Sequence, residues 1–415
     1  MENEKKKIAV IVSGSLPMPP VKGGAAETLL YNVITENEKK EKMQLVIYST
    51  YDKDAVEASK GYVETEWIYY KAPGIIRFID YFLYSLLKML GRRNSQGYRL
   101  MWQRLYYIYK IAYDLHIRND IDVVVLDNHI TLCLILRFFG NYKKYKGRIV
   151  YHIHNVLKGS FGQKSVFTSL DKYFCVSKYI MDYLADNKIP KEKLSVLANV
   201  VDTKRFSYRM SKEEIIYFKR KNGINENERI VFFAGRIEAG KGIKEAILGF
   251  KKANLKNTKL VIAGGTFFGL NIMSTYEKEI KNIVDELSTQ VIMLGYVSYE
   301  EMPKWYQCSD VGLFPSICDE AALLTGIEAR SSGLPVITTI SGGIPEYIKS
   351  DFGVLLPVDE KLVEHITESL KLLLSNPQLL KKMSEKAWEY SQQYNLSTYY
   401  EDFYQQITGV IKEAK

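Results

Sequence analysis

The stretch CDEAALLTGIEA, from Cys318 to Ala329, holds two glutamates, Glu320 and Glu328, with seven residues between them. Glu328 lies among Leu324, Ile327 and Ala329, where a charge is costly to bury unless it is partnered. Two carboxylates so placed raise the question of acid–base chemistry on a glycosidic bond. On one continuous helix they would stand about 12 Å apart along the axis and roughly 80° apart around it. Carboxylate pairs that cleave glycosides stand about 5 to 9.5 Å apart, so the fit to that chemistry is poor. Gly333 and Pro335 are stop signals, which places the helix from about Ala321 to Ser332. Glu320 then stands at the helix entrance and Glu328 on its later turns, where they would act on different parts of one ligand. The plainer alternative gives Glu320 to the helix dipole and leaves Glu328 solvated.

A second constellation is FFAGRIEAGKGIKEAI, residues 232–247. A buried strand ends at Gly235, Arg236 follows, and Lys241 opens a helix. Two cations and free N–H groups at a helix start make an anion site. The spacing is not that of a Walker A loop. VKGGAAETLLYNV (21–33) puts Gly23 and Gly24 before another helix, where backbone can approach a phosphate or sugar closely. The five histidines are His116, His129, His152, His154 and His365. LDNH and YHIHN both fall at predicted strand ends. His152 and His154, at i and i+2, suggest a metal, but no third ligand is apparent. D-x-D occurs at Asp52–Asp54 and Asp120–Asp122. With 25% of residues charged, chance accounts for both better than a metal on a diphosphate.

These residues need a scaffold at their strand ends. Strand signals recur at 7–13, 43–50, 121–127, 147–154 and 172–177. They recur again at 229–235, 259–265, 291–297, 310–315, 335–339 and 353–357. Val- and Ile-rich runs bounded by Gly and Pro and separated by helices imply parallel sheets covered on both faces. The series restarts after about residue 200, which implies two doubly wound α/β domains in tandem. Such folds bind ligands at the carboxyl ends of strands, and two facing domains make a cleft the natural site.

Composition narrows the class. The chain has 415 residues, 47% of them hydrophobic, enough for two or three folded domains. Cys133, Cys175, Cys308 and Cys318 form no C-x-x-C pair, which fits a reducing compartment. The apolar run Ile8–Val12 is shorter than the roughly 7 to 15 residues of a signal peptide, and no run of about 20 apolar residues predicts a transmembrane helix. Residues 1–200 carry 30 Lys/Arg against 20 Asp/Glu, and residues 201–415 carry 27 against 28. The first half is the one with an anionic partner. Residues 78–118 interleave aromatics with Lys88, Arg92, Arg93, Arg99, Arg104, Lys110 and Arg118 against only Asp80 and Asp114. A basic helix with an aromatic face suits an anionic bilayer, and no nucleic-acid motif accompanies it. The alternative is a core-packed helix pair with a solvated basic side.

The sequence resembles retaining glycosyltransferases of the GT-B fold, glycosyltransferase family 4 (group 1 type). The resemblance rests on VKGGAAETLL, VLANVVDTKRF, FFAGRIEAGKG, LVIAGG, LGYVSYEEMPKWYQCSDVGLFPS and DEAALLTGIEARSSGLPVITT, which span nearly the whole chain in order. It implies an α/β GT-B architecture of two tandem Rossmann-like, doubly wound domains facing a central cleft. Residues 1–200 would form the acceptor side, residues 201–395 the nucleotide-sugar side, and a helix over 396–415 would cross back. It implies that Glu320 contacts the donor sugar near the reacting carbon and that Glu328 accepts hydrogen bonds from the nucleotide ribose. Arg236 and Lys241 would neutralise the diphosphate, helped by backbone N–H groups around Leu323 and Leu324. Gly24 would line the donor phosphates and acceptor from the other domain. A first-domain residue near the reacting centre falls in LDNH, as Asp127, Asn128 or His129, with His129 favoured. One departure is Leu323, where many relatives have glycine and this chain has Gly326 later.

The implied reaction moves a sugar from a nucleotide-diphosphate donor, UDP favoured, to an acceptor with retention, without metal or other cofactor. The implied partners are the nucleotide-sugar, a lipid-linked or glycan acceptor of surface polysaccharide or glycolipid assembly and an anionic membrane surface, but not nucleic acid. The implied location is cytoplasmic, at the inner face of the cell membrane. Two other readings share the fold, a nucleotide-sugar epimerase and a non-catalytic membrane-surface scaffold.

Overall fold

The computed structural model describes residues 5–89, 100–157, 159–265, 275–287 and 289–413. The chain divides into two compact units. The first comprises Met1–Val176, Met181–Leu197 and Tyr400–Lys415, and the second Ser177–Ile180 and Ala198–Tyr399.

The first unit is built on seven strands: β1 (Lys6–Ile11), β2 (Met43–Thr50), β3 (Thr65–Tyr70), β4 (Val123–Asp127), β5 (Ile149–Ile153), β6 (Lys172–Cys175) and β7 (Leu194–Val196). They form one parallel sheet in the order β3-β2-β1-β4-β5-β6-β7. The second unit has six: β8 (Arg229–Ala234), β9 (Thr258–Ala263), β10 (Val291–Gly295), β11 (Val311–Phe314), β12 (Val336–Thr339) and β13 (Gly353–Leu356). These also run parallel, in the order β10-β9-β8-β11-β12-β13.

All eleven strand signals correspond to strands, each starting or ending within a few residues of its apolar run. β3 and β7 were not expected, and they are the two edges of the first sheet. β4 and β5 are buried along their whole length, as strands covered on both faces must be. The period of two sends Val231 and Phe233 of β8 into one core of the second unit and Ile230 and Phe232 into the other. Each such side chain contributes about 1.5–3 kcal/mol on burial.

The strand order reverses beside β1 in the first sheet and beside β8 in the second. In doubly wound sheets the ligand crevice opens at that point, outside the carboxyl ends of the strands. The loops after β1 and β4, and those after β8 and β11, are thereby the positions for chemistry. The helix Leu396–Glu413 enters the first unit at Tyr400, whose hydroxyl donates to Asn37 Oδ1 at 2.6 Å. No described helix is long and apolar enough to cross a membrane.

Candidate functional site

In the second unit the loops after β8 and β11 are laced together by glycines. The Gly240 carbonyl accepts from the N–H groups of Ile317 at 3.0 Å and Cys318 at 3.2 Å. Gly242 has φ +67 and packs on the Pro315 carbonyl, leaving no room for a Cβ. Gly264 packs in the same way on the Gly235 carbonyl, and its N–H donates to Gly295 O at 2.7 Å. Backbone approaches this close are open only to glycine. Their result is to set Lys241, in the short turn Ala239–Lys241, opposite the loop that carries Glu320.

Lys241 Nζ donates to Glu320 Oε1, and Ser316 Oγ donates to the same oxygen at 2.7 Å. Glu320 is buried. Its carbonyl accepts from Gly343 N–H at 2.7 Å, and Gly342 packs directly on it. This contact corrects the expected helix. The helix runs Leu324–Ser331, not from Ala321. The backbone at Glu320 is committed to the loop after β12, so it stands in a loop, four residues before the first helical one. Leu323 is the helix N-cap and supplies no side-chain cap. The free N–H groups at the start of this helix therefore keep their donor capacity. Leu323 occupies its position because Gly326 lacks a side chain: a Cβ at Gly326 would stand 2.7 Å from Leu323 Cδ2. The departure at 323 and the later glycine are one packing solution.

Glu328 is partly buried rather than solvated, and its Oε2 accepts from the Tyr306 hydroxyl at 2.7 Å. Burial pushes its carboxyl up to about 7, and the Tyr306 hydrogen bond opposes that only in part. Arg236 is exposed on the loop after β8 and pairs with Glu238 at 2.9 Å. Lys241, Glu320 and Ser316 thus meet directly. Arg236, Leu323, Leu324 and Glu328 sit on the same pair of loops and the helix they lead into.

In the first unit Gly24, with φ +115, is the N-cap of the helix Ala25–Lys40, and Glu27 Oε2 and Leu16 press against it. Glu27 is buried, which raises its carboxyl to about 7, and the Asp127 charge adds to the rise. His129 follows β4. Its Nε2 lies 2.8 Å from Arg104, and its Nδ1 lies 2.7 Å from Thr131 Oγ1. Burial first, and then the Arg104 charge, lower it to about 4, so it stays neutral near neutral pH. Arg104, expected on a basic surface, instead turns inward to His129 and to Ser15 Oγ at 2.6 Å. Arg118 is likewise tied up, by Glu66 at 2.7 Å and Asp120 at 2.9 Å. Lys110 lies over the Tyr70 ring. Arg92, Arg93 and Arg99 lie outside the described residues, as does the side chain of Lys88.

Asp127, His152 and His154 come together at the ends of β4 and β5, all buried. Burial opposes ionisation of Asp127, but the two imidazoles outweigh it and hold the carboxyl below its usual range. Burial and then the His154 charge lower His152 to about 4. The third ligand that the sequence did not disclose is Asp127, which becomes the partner of the histidine pair because β4 lies beside β5. Tyr306 carried no local signal, because its partner Glu328 lies 22 residues away on another helix, and Ser316 meets Glu320 only through the fold of the loop they share.

Residues 215–390 match the family model described as glycosyl transferases group 1, and residues 80–205 match glycosyltransferase family 4. Among curated relatives, the lipopolysaccharide 1,2-N-acetylglucosaminetransferase of Salmonella typhimurium is 23% identical over 265 residues, covering 61% of this chain and 66% of that one. The alpha-galactosylglucosyldiacylglycerol synthase of Streptococcus pneumoniae is 26% identical over 244 residues, covering 58% and 62%. Across the curated relatives reported, the chain spans 40–66% of their length. Anabaena HepE in complex with UDP and glucose superposes with a TM-score of 0.74 at 16% identity, covering 97% of this chain and 100% of that one. The fold is GT-B. The chain carries a glycosyl transferases group 1 domain preceded by a family 4 type first domain.

Proposed function

We propose that this chain is a retaining glycosyltransferase that moves a sugar from a nucleotide-diphosphate donor, UDP favoured, to an acceptor of surface glycan or glycolipid assembly. The observation that carries the reading is the meeting of Lys241 with Glu320 and Ser316 beside the uncapped helix start at Leu323 and Leu324. A diphosphate brought to Lys241 competes with Glu320 for the ammonium. It leaves the Glu320 carboxylate free to accept hydroxyls of the donor sugar. Arg236 is exposed and on a flexible stem, so it can leave Glu238 for the stronger anion.

Bond cleavage drives negative charge onto the diphosphate while the sugar becomes oxocarbenium-like. Lys241, Arg236 and the N–H groups at Leu323 and Leu324 oppose that charge where it develops. This charge set lets the second unit handle the leaving group without a metal on the diphosphate. Glu328, pushed up by burial, gains two hydroxyl donors from a ribose and becomes the better acceptor when ionised. Two names support the acceptor class: a lipopolysaccharide sugar transferase and a glycolipid synthase are among the relatives. Gly24 and His129 serve the reaction from the first unit in this reading. His129 acts as a neutral hydrogen-bonding group, not as a cation.

The membrane part of the reading rests on the helix Gly74–Met89. Its apolar residues Ile75, Phe78, Phe82 and Met89 are 70%, 66%, 57% and 77% exposed, while its one acid, Asp80, is buried. Asp80 caps the next helix, Met101–Ile117, by accepting from Trp102 N–H at 2.9 Å and Gln103 N–H at 3.0 Å. Residues 75, 78, 82 and 89 share one helical face, and that face points away from the unit's core. An apolar stripe of this kind lies in a bilayer interface. The described basic residues of this arm are engaged within the unit, Arg104 with His129, Lys110 with the Tyr70 ring and Arg118 with Glu66 and Asp120, so apolar insertion leads and charge assists.

The test is turnover of a panel of nucleotide-sugars against lipid-linked acceptors, with the anomeric configuration of the product read by NMR. A transferred sugar with the donor's configuration is expected. An inverted product overturns retention. Conversion of the donor sugar to its epimer, with no acceptor consumed, favours the epimerase instead.

A further inference from the structure

Three buried side chains meet at the carboxyl edge of the first sheet. Strand pairing sets Asp127 beside His152. The two-residue strand period puts His154 on the face of His152. Asp127 Oδ1 lies 3.2 Å from His152 Nδ1 and 3.0 Å from His154 Nε2. The two nitrogens lie 3.1 Å from each other. Each atom of the triangle therefore contacts both of the others at hydrogen-bond distance.

Hydrogen bonds cannot satisfy such a triangle. Each needs one donor and one acceptor, and the two roles cannot alternate around a ring of three atoms. A carboxylate only accepts. If both nitrogens carry protons toward it, two N–H groups face each other. If either nitrogen carries none, its lone pair faces the carboxylate. One contact of the three is repulsive in every arrangement, and the low dielectric of a buried site sharpens the conflict. A cation between the three atoms makes all of them acceptors and removes it.

The dimensions agree. Tetrahedral zinc holds imidazole nitrogen at about 2.0–2.1 Å, which sets neighbouring ligand atoms about 3.3–3.4 Å apart. The observed separations are shorter than this by only a few tenths of an ångström. Backbone contacts to Asn128 fix the ends of β4 and β5 that carry the ligands. Asn128 Oδ1 accepts from His154 N–H at 3.1 Å, and Asn128 N–H donates to His152 O at 2.9 Å. Asn128 takes φ +62 to make both contacts.

The geometry points to a mononuclear site for a divalent transition-metal ion, zinc fitting best, held by Asp127, His152 and His154. Three protein ligands occupy one face of a tetrahedron, so the fourth position takes water or an oxygen of a ligand. The ion ties the end of β4 to the end of β5. It does not bear on the Lys241 site in the second unit and does not depend on the function proposed above.

The experiment strips the full chain with a chelator and titrates it with cobalt(II), then with zinc(II). One cobalt per chain is expected, with the visible absorption of a tetrahedral nitrogen–oxygen site, displaced by zinc. The melting temperature should climb with zinc concentration as binding to the native state requires. Asp127→Asn and His152→Gln should each weaken binding more than about 100-fold, beyond the 10–100-fold that loss of an outer partner costs. Lys241→Ala should bind the metal as wild type does. Folded wild type that takes up no stoichiometric metal overturns the assignment, as do Asp127→Asn and His152→Gln variants that bind like wild type. Should a variant fail to fold, the wild-type spectrum decides, because a thiolate charge-transfer band would place the cobalt on a cysteine instead.

Discussion

The two sheets carry their polar groups at the same topological position but hold them differently. In the second unit Gly240 and Gly242 draw together the loops after β8 and β11, Gly342 of the loop after β12 packs on Glu320, and the groups presented are a buried ion pair and free helix N–H groups. In the first unit the loops after β4 and β5 present imidazoles and a carboxylate already engaged with one another, with Thr131 and with Arg104. The first arrangement suits an anion that arrives and leaves, since Lys241 can exchange the Glu320 carboxylate for a diphosphate. The second is fixed: His129 and His152 are both lowered to about 4 and stay neutral through the working range. One edge handles changing charge, and the other holds neutral imidazoles around a fixed carboxylate.

The largest effect expected from this contrast is on turnover. Lys241→Ala and Arg236→Ala should each lower kcat at least about 100-fold with the fold intact, the usual consequence of removing one charge-stabilising donor. Lys241→Ala carries a second signature. It leaves Glu320 with only the Ser316 hydroxyl as partner, so Glu320→Gln added to it should cost less than Glu320→Gln alone. Additive losses would show that the two act separately and break the contrast.

A smaller, pH-dependent effect sharpens it. Glu328 has a carboxyl raised by burial from its ordinary 4.5 to about 7. The native state therefore holds a proton that the unfolded chain has lost between those values. Stability contributed by this group is full below the unfolded value and falls as pH rises through about 7. Nucleotide binding runs the other way, because ribose hydroxyls donate to the carboxylate and favour its ionised form. Nucleotide-sugar affinity should rise about tenfold from pH 6 to pH 8, as one ionisation allows. Calorimetric titration of Glu328→Gln should lose that slope. An equal slope in the variant would remove Glu328 from the ribose.

Most of this was legible in the sequence, and the failures have physical causes. The central strands announced themselves because both faces are buried and the runs are continuously apolar. β3 and β7 were missed because edge strands are half-covered: Glu66 and Val196 are exposed, and the apolar run breaks. The residue types at Arg236, Lys241, Glu320 and Glu328 were readable, but their partners were not. Ser316 becomes visible only once its loop folds back on itself, and Tyr306 only once two helices pack side by side. Charge at a position in the basic arm does not tell which way a long side chain turns: Arg104 turns inward to His129, Arg118 is held by the surface carboxylates Glu66 and Asp120, and Ile75, Phe78, Phe82 and Met89 stand exposed on Gly74–Met89.

The smallest expected effect concerns that face. Phe78→Ser with Phe82→Ser should lower co-sedimentation with anionic liposomes several-fold, because a helix lying in the interface is held there by the apolar area it buries. High salt should weaken it less than it would a purely electrostatic attachment. Equal sedimentation of wild type and variant would leave the helix without a role at the membrane.

The central claim is that the edge of the second sheet is a diphosphate site, and the most direct measurement is thermal. UDP at saturating concentration should raise the melting temperature of the wild-type chain through binding to the native state. It should raise that of Lys241→Ala much less, while uridine, which lacks the diphosphate, should shift both alike and little. Equal stabilisation of wild type and Lys241→Ala by UDP would contradict the account.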